Sequence, residues 1–267
     1  MSAWAFVKRH ALSIYAALAI GYMLLPIAVV FLFSFNQPAG RFNYVWQQFT
    51  FDNWINWNEP PGIQDALITS IIIAVLASIT ATALGALIAL ALVRHRFRGR
   101  GPLNFLIFLP MAAPEIVLGA SLLTLFLNQT LFTLGFWTIF IAHVMFCISF
   151  VVVTVRARLV DFDRHLEEAA ADLGANEWVT FRKITLPLLA PAILAGGLLA
   201  FAISVDDFVI TYFNSGSEIT FPVYVWGQAA RGVPPQVNVI GSAIFFIAVG
   251  VMLANAIRQT RRERSAA

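Results

Sequence analysis

The sequence is a succession of long apolar runs separated by shorter polar intervals. A helix needs about 20 apolar residues to cross a hydrocarbon core about 30 Å thick, and continuous runs of that length are typical of transmembrane helices. The pattern therefore predicts an all-α membrane protein with six transmembrane helices. The predicted spans are residues 12–35, 66–93, 103–127, 134–155, 188–213 and 237–257.

Composition strengthens this prediction, because 60% of the residues are hydrophobic and only 12% are charged. Soluble domains are usually about 45–50% apolar and about 25% charged. None of the polar intervals is long enough to build a separate soluble core, so we predict a single transmembrane domain over residues 1–267. The first apolar run is too long for a cleavable signal and predicts a membrane span instead.

The basic residues predict the orientation of the chain. Of the 17 lysines and arginines, all except Arg41 and Arg231 fall on one side of a six-span topology. Cytoplasmic segments of membrane proteins carry the excess of lysine and arginine. We therefore expect both termini, and the polar loop at residues 156–190, to face the cytoplasm. This distribution also explains the net charge of +3, so nucleic acid is not expected as a partner.

The polar loop at residues 156–190 is the longest polar interval between two spans. Gly174 stands where a helix would end, and Asn176 is expected to cap a second short helix. Proline is tolerated in the first turn of a helix, so the chain is expected to restart as a span at Pro187. Apolar residues at helical spacing predict an amphipathic helix before Gly174, and they are Leu159, Phe162, Leu166, Ala169, Ala170 and Leu173.

This loop resembles the EAA loop of permease subunits of bacterial ABC importers. The pattern of that loop is Glu-Ala-Ala, three residues, Gly, nine residues, Ile, one residue and Leu-Pro. The resemblance implies the type I ABC importer permease fold, in which the loop is a coupling helix that docks on an ATPase subunit. The matching residues, with every spacing kept, are Glu168, Ala169, Ala170, Gly174, Ile184, Leu186 and Pro187.

The same resemblance implies the partners of the chain. Each permease subunit contributes one coupling loop, so two ATP-binding subunits imply a second permease subunit, which we expect to be a different chain. A substrate-binding protein outside the membrane would deliver the cargo, and the chain would lie among the lipids of a bacterial plasma membrane. The sequence has no phosphate-binding loop and no hydrolase motif, so we expect no enzyme activity and no cofactor in this chain.

Three carboxylates fall inside the predicted spans. An ionisable side chain at membrane depth is costly and usually faces a cavity. Glu115 lies about twelve residues into its span, which corresponds to about 18 Å along a continuous helix. Asp206 and Asp207 are adjacent and differ by about 100° on a helix, so both are not expected to face one narrow path. With no lysine or arginine in any span, the acids predict a cationic substrate; the alternative is hydrogen bonding between helices.

Two segments sharpen the resemblance. SVDDFVITYFNSG at residues 204–216 and PMAAPEIVLGASLL at residues 110–123 are similar to segments of spermidine/putrescine permease subunits. This resemblance implies a polyamine cargo. The residues expected along its path are Glu115, Asp206, Asp207 and Tyr212.

Alternative interpretations stay open. The same type of transporter carries other cargo in other systems, such as ferric iron, thiamine or an opine. A standalone channel or carrier would transport without ATP, and a membrane enzyme would need a catalytic motif that the sequence lacks. His143 and Cys147 lie four residues apart and would share a helix face, but two ligands do not make a metal site, so no metal is expected.

Overall fold

The computed structural model describes residues 3–129 and 132–266, and it is mainly helical. Contacts within the chain divide it into two compact units, Met1–Ile63 with Val225–Ala267, and Gln64–Tyr224. The single domain expected over residues 1–267 stays a prediction. The elements in chain order are α1 (Ala3–Phe33), β1 (Asn36–Gln37), β2 (Gln48–Phe49), α2 (Asp52–Ile55), α3 (Ile63–Arg94), α4 (Arg100–Ala112), α5 (Glu115–Leu127), α6 (Phe136–Val160), α7 (His165–Asp172), α8 (Glu177–Thr180), a π-helical turn (Phe181–Thr185), α9 (Leu186–Asp206), α10 (Val209–Asn214), α11 (Phe221–Ala229) and α12 (Pro235–Ala266).

The helices confirm the predicted helical membrane fold but not the count of six spans. In the described part of the chain, α4 and α5 count as one further candidate span only if they are taken together as a bent pair. The apolar part of α12, Pro235–Val251, is shorter than the candidate spans. The four helices that are long and apolar enough to cross a bilayer are His10–Phe33, Ile63–Arg94, Phe136–Val160 and Glu177–Asp206.

The prediction of a continuous third span at residues 103–127 is wrong. The axes of α4 and α5 are bent by 111° with respect to each other. The residue before a proline is driven towards extended backbone, and both Ala113 and Pro114 are extended, with ψ of 140° and 131°. Glu115 therefore begins a new helix, and its expected depth along one unbroken helix is also wrong.

The fifth predicted span, residues 188–213, differs from the observed helices at both of its ends. At its far end α9 stops, Asp207 is extended with φ of −66° and ψ of 120°, and α10 follows. At its near end, α9 begins at Leu186 with Pro187 in its first turn, as predicted, but α8 and the π-helical turn run directly into it, so Glu177–Asp206 is one continuous helix. The π-helical turn widens this helix where the proline ring would otherwise clash with the carbonyl group of Lys183.

The compact unit that contains both ends of the chain holds α1 against α12. Phe31 on α1 and Phe246 on α12 make an edge-to-face contact, with their ring centroids 5.0 Å apart. After α1, β1 and β2 pair as a short antiparallel ribbon, which the all-α prediction did not include. The buried side chain of Asn53 donates hydrogen bonds to the carbonyl groups of Ser34 and Asn36 and so ties α2 to this ribbon.

The other compact unit is built around α6. This helix packs along α9, and Gly85 on α3 lies close to Val151 on α6. Small residues at such a crossing allow two membrane helices to come within backbone contact of each other. The buried residues of this core are Ala81, Ala89, Leu92, Ile107, Cys147, Val151, Val152, Val155, Leu159, Leu189 and Ala200.

Replacing Gly85 by alanine is expected to lower the thermal stability of the protein. An added Cβ would lie 2.8 Å from the Cβ atom of Val151 and 3.3 Å from the carbonyl oxygen of Ile148, so α3 and α6 must separate. Overpacking of this kind costs about 1–3 kcal/mol. Thermal melting of the detergent-purified protein measures the effect. The control is Gly21→Ala on α1, where a Cβ meets no atom within 4 Å, and equal melting temperatures of the two variants would contradict the close contact.

Candidate functional site

Two broken helices bring three of the four expected path residues, Glu115, Asp206 and Asp207, into the wall of one cavity. Glu115 is the first residue of α5, directly after one break, and Asp206 is the last residue of α9, directly before the other. Both side chains are exposed, and both line a cavity of about 280 Å³ that has no lysine or arginine in its wall. The wall is formed by Glu115, Phe146, Ile203, Asp206, Asp207, Phe208 and Val209.

The helix ends shape the electrostatics of this cavity. The last carbonyl groups of a helix lack helical N–H partners, and the carboxyl end carries about −0.5 of an elementary charge. Asp206 adds its carboxylate to that end of α9. Glu115 lies in the first turn of α5, where the helix dipole stabilises a carboxylate. The wall therefore combines the exposed carboxylates of Glu115 and Asp206 with the carboxyl end of α9, an arrangement that favours a cation.

Asp207 lies next to Asp206 but is engaged by neighbouring helices. Its side chain is 6% exposed, and its Oδ2 atom lies 3.3 Å from Nε2 of His143 on α6. The same oxygen accepts hydrogen bonds from the backbone N–H and the hydroxyl group of Thr211, both at 2.8 Å. Asp207 thus belongs to the cavity wall, while its carboxylate is held by α6 and α10. A direct contact of Asp207 with cargo stays a prediction.

Tyr212 is half exposed and stands behind the cavity wall. Its ring lies against that of Phe208, with centroids 5.4 Å apart. Phe208 lines the cavity together with Phe146, whereas Tyr212 is not part of the lining. The two phenylalanines are therefore the aromatic rings that the cavity offers, and the role of Tyr212 on the path stays a prediction.

His143 and Cys147 both face α9. The two ring nitrogens of His143 contact hydroxyl groups of Ser204 and Thr211, and Sγ of Cys147 lies 3.5 Å from the carbonyl oxygen of Ala200. Among residues 3–129 and 132–266, no group of three or more histidine, cysteine or acidic side chains is arranged to hold a metal ion. No role for His143 followed from the sequence, although a histidine inside an apolar span needs a polar partner, and Asp207, directly after α9, provides one.

The polar loop folds as two short helices, α7 and α8, joined by a turn. Gly174 follows α7 with a φ of 82°, a conformation that favours glycine, and the helix ends there as predicted. The side chain of Asn176 accepts a hydrogen bond from the N–H of Val179 at 2.9 Å and caps α8, also as predicted. The amphipathic helix expected before Gly174 is present as α7, but it begins only at His165, because residues 161–164 separate it from α6, to which Leu159 belongs.

The residues of the Glu-Ala-Ala motif occupy different environments. Glu168 and Ala169 are exposed, while Ala170 is buried on the inner face of α7. Two large apolar side chains flank the turn and face outward, since Leu173 is 89% exposed and Trp178 is 67% exposed. The loop therefore presents both an acid and an apolar surface that this chain does not cover itself.

Glu167, which the sequence analysis did not single out, anchors this loop. Its carboxylate accepts hydrogen bonds from the guanidinium group of Arg94, at the end of α3, and from the hydroxyl group of Thr185 in the π-helical turn. Neither partner is near Glu167 in sequence, so no local sequence pattern predicts these hydrogen bonds. The remaining residues of the motif lie in the π-helical turn or at the start of α9, and they are Ile184, Leu186 and Pro187.

A second, exposed pair stands at the start of α7. The carboxylate of Asp163 accepts a hydrogen bond from the backbone N–H of His165 at 3.0 Å and contacts its Nδ1 atom at 2.7 Å. The hydrogen bond from the backbone N–H of His165 makes the largest contribution to lowering the pKa of Asp163, and the side-chain bond lowers it further. The side-chain bond to Asp163 in turn raises the pKa of His165. The pair fixes the first turn of α7 at the surface of the loop.

Comparison with known proteins identifies a family and several relatives. Residues 81–261 match the model of the family described as binding-protein-dependent transport system inner membrane component. The spermidine/putrescine transport system permease protein PotC of Haemophilus influenzae is 40% identical over 235 residues, which cover 87% of this chain and 90% of that protein. The putrescine transport system permease protein PotI of Escherichia coli is 36% identical over 238 residues, which cover 86% and 84% of the two chains.

Solved structures share the fold. A chain of a bacterial ABC transporter involved in the import of the acidic polysaccharide alginate superimposes with a TM-score of 0.67 and 20% identity, over 97% of this chain and 98% of that chain. A chain of an amino acid ABC transporter superimposes with a TM-score of 0.58 and 15% identity, over 80% of this chain and 100% of that chain. These matches confirm the predicted permease fold. Since one of those transporters carries an anionic polysaccharide, the fold alone does not specify the charge of the cargo.

Proposed function

The chain belongs to the family of inner membrane components of binding-protein-dependent transport systems, and from this premise we propose that it is the permease subunit of an ATP-driven importer of polyamines. It passes through the inner membrane several times and works with a substrate-binding protein. The proposed cargo is spermidine or putrescine. The observation that carries this proposal is the acidic cavity in which Glu115 and Asp206 meet.

The chemistry of the cavity suits a polyamine. A polyamine alternates ammonium groups with short methylene chains, so it needs separated anionic contacts with apolar surface between them. Glu115 and Asp206 supply the carboxylates, and Phe146 and Phe208 supply aromatic surface in the same wall. An ammonium group over an aromatic ring gains about 0.5–2 kcal/mol in addition. The identity to polyamine permeases over most of the chain supports the same cargo class.

The polar loop is proposed to be the contact with an ATP-binding subunit. Exposed Leu173 and Trp178 give it the apolar surface that a groove on a partner would cover, and exposed Glu168 gives it a charge. Exposed apolar groups next to polar ones are typical of protein interaction sites. Glu167 holds the loop to α3 and to the π-helical turn that leads into α9. A displacement of the loop would therefore be transmitted to the helix that ends at the cavity.

The proposed assembly contains two ATP-binding subunits, this permease, a second permease of different sequence and an external binding protein. ATP binding closes the two ATP-binding subunits and moves both coupling loops together. That movement turns the paired helix bundles from cytoplasm-facing to outward-facing, and the binding protein then releases its cargo into the path. ATP hydrolysis, which the partner subunits perform, resets the bundles. This chain contributes the path and the coupling, and it performs no covalent chemistry.

Orientation follows from charge. With both termini and the polar loop in the cytoplasm, all lysines and arginines except Arg41 and Arg231 lie on the cytoplasmic side. The opposite orientation would place nearly all basic residues outside and would put the loop beyond the reach of an ATP-binding subunit. We therefore propose that both termini are cytoplasmic.

Two alternatives to a polyamine importer are distinguishable. An importer of this type for ferric iron, thiamine or an opine would use the same coupling loop with another cargo. A standalone channel or carrier would leave the spacing from Glu168 to Pro187 without a purpose and would not need ATP. The acidic cavity favours a cation over an anion.

Uptake of radiolabelled spermidine and putrescine tests the proposal. The chain is expressed with its partner subunits in cells that lack their own polyamine importers, and we expect uptake that stops when the ATP-binding subunit is omitted or made inactive. Polyamine uptake without that subunit would indicate a channel or carrier. Absence of uptake from a correctly assembled complex would refute the polyamine cargo, and iron, thiamine and opines would then be measured in the same cells.

A further inference from the structure

His143 contacts polar groups on both sides of the break between α9 and α10, which a residue that served only apolar packing would not need. Its side chain is 3% exposed, and its Nδ1 atom lies 2.7 Å from the hydroxyl oxygen of Ser204, before the break. Its Nε2 atom lies 3.3 Å from Oδ2 of Asp207, at the break, and 2.9 Å from the hydroxyl oxygen of Thr211, after the break. One side chain of α6 therefore holds the end of α9 and the start of α10 together.

The hydrogen bonds define which way this network runs. The hydroxyl group of Thr211 has one proton, and it donates that proton to Oδ2 of Asp207. Towards His143 the hydroxyl oxygen is therefore an acceptor, so Nε2 of His143 carries a hydrogen and donates it. The Nδ1 atom is then left for the hydroxyl group of Ser204. An imidazole fits both sides of this arrangement. An aliphatic side chain would bond to none of these groups: the hydroxyl group of Ser204 would lose its contact with the ring, and Asp207 and Thr211 would keep only the bonds between themselves.

Asp207 links this network to the backbone. Its carboxylate accepts hydrogen bonds from the backbone N–H groups of Ile210 at 3.4 Å and of Thr211 at 2.8 Å, and so caps the first turn of α10. Asp207 itself is extended, which is why α9 stops one residue earlier, at Asp206. Asp206, whose carboxylate faces the cavity, is thus the sequence neighbour of Asp207, the residue that His143 holds.

We propose that His143 is a positioning residue for transport: by holding Asp207 at the break between α9 and α10, it fixes the carboxylate of Asp206 in the cavity beside Glu115. This inference rests on the proposed role of the cavity as the cargo path. His143 lies on α6, the helix that contributes Phe146 to the cavity wall, but it does not itself belong to the lining. It acts on the cargo only through the position of Asp206.

Transport kinetics test this role. His143→Leu removes every polar contact of the ring, and His143→Gln keeps a donor near the position of Nε2. We expect His143→Leu to raise the KM for spermidine uptake about tenfold or more, since a group displaced from its productive position loses most of its contribution. His143→Gln is expected to recover most of the affinity at an equal amount of protein in the membrane. A lower maximal rate with unchanged KM, or no recovery by glutamine, would overturn the proposal in favour of a purely structural histidine.

A thiol-labelling experiment tests the geometry without any cargo. Asp206→Cys is made together with Cys147→Ala, which removes the native buried thiol, and the introduced thiol is labelled with a small cationic thiosulfonate in purified complex. We expect its labelling rate to change about fivefold or more when His143→Leu is added and to return with His143→Gln, because the position of the side chain decides its access. An unchanged rate would overturn the positioning role whatever the cargo is. A changed rate in a complex that transports no polyamine would instead retain the positioning role and refute the cargo.

Discussion

Neutralising Glu115 and Asp206 together is expected to abolish most polyamine uptake while the permease stays folded and assembled. A hydrogen bond between a charged donor and a charged acceptor contributes about 1.5–3 kcal/mol, which corresponds to about a 10- to 100-fold change in affinity. Each single variant, Glu115→Gln or Asp206→Asn, should raise the KM by a factor in that range. Both side chains are exposed in the cavity and form no ion pair with the residues that the structure describes, so their neutralisation leaves no buried charge behind.

The measurement is uptake of radiolabelled spermidine over a range of concentrations, with the amount of permease in the membrane determined in parallel. The control variant is Glu59→Gln, which removes one carboxylate from an exposed position outside the cavity. Because the two acids are proposed to contact one cargo molecule, the effects of the single variants need not add up in the double variant. Unchanged uptake in the double variant would show that the two carboxylates have no part in recognising the cargo.

The sequence alone located these two acids, but it did not predict how they come together. A carboxylate in an apolar run is conspicuous because membrane burial of charge is costly, and this is how Glu115 and Asp206 were found. A proline such as Pro114 is compatible with a kinked helix and with a chain bent by 111°, so the local sequence does not distinguish the two. The end of α9 depends on the extended backbone of Asp207, which His143 stabilises from a helix about 60 residues earlier in the chain.

In the polar loop too, the features that depend on neighbouring residues were predicted from the sequence, whereas the contacts between distant residues were not. Gly174 and Asn176 gave the turn and the second cap correctly, because both effects act within a few residues. The motif pointed to Glu168, whereas the anchor is its neighbour Glu167, which bonds to Arg94 and Thr185. Contacts between residues far apart in sequence are not encoded in any local period, so two adjacent glutamates look alike until the fold is known.

The same substitution by lysine is therefore expected to have different effects at the adjacent residues Glu167 and Glu168. Glu168→Lys is expected to abolish co-purification of the ATP-binding subunit and all uptake, with an unchanged melting temperature of the isolated permease. Glu168 is exposed and makes no ion pair that the described chain supplies, so its reversal costs little in the permease alone. Against a partner surface that fits an acid, a reversed charge costs several kcal/mol.

Glu167→Lys, by contrast, is expected to lower the melting temperature of the isolated permease. It places a second cation against Arg94, and breaking a pair whose side chains are 25% and 20% exposed costs about 1–3 kcal/mol. Adding Arg94→Glu restores opposite charges and should recover most of the lost stability. If Glu168→Lys lowered the melting temperature as much as Glu167→Lys, the two glutamates would share a structural role. If the charge swap recovered nothing, the loop would be held to α3 by contacts other than the pair of Arg94 and Glu167.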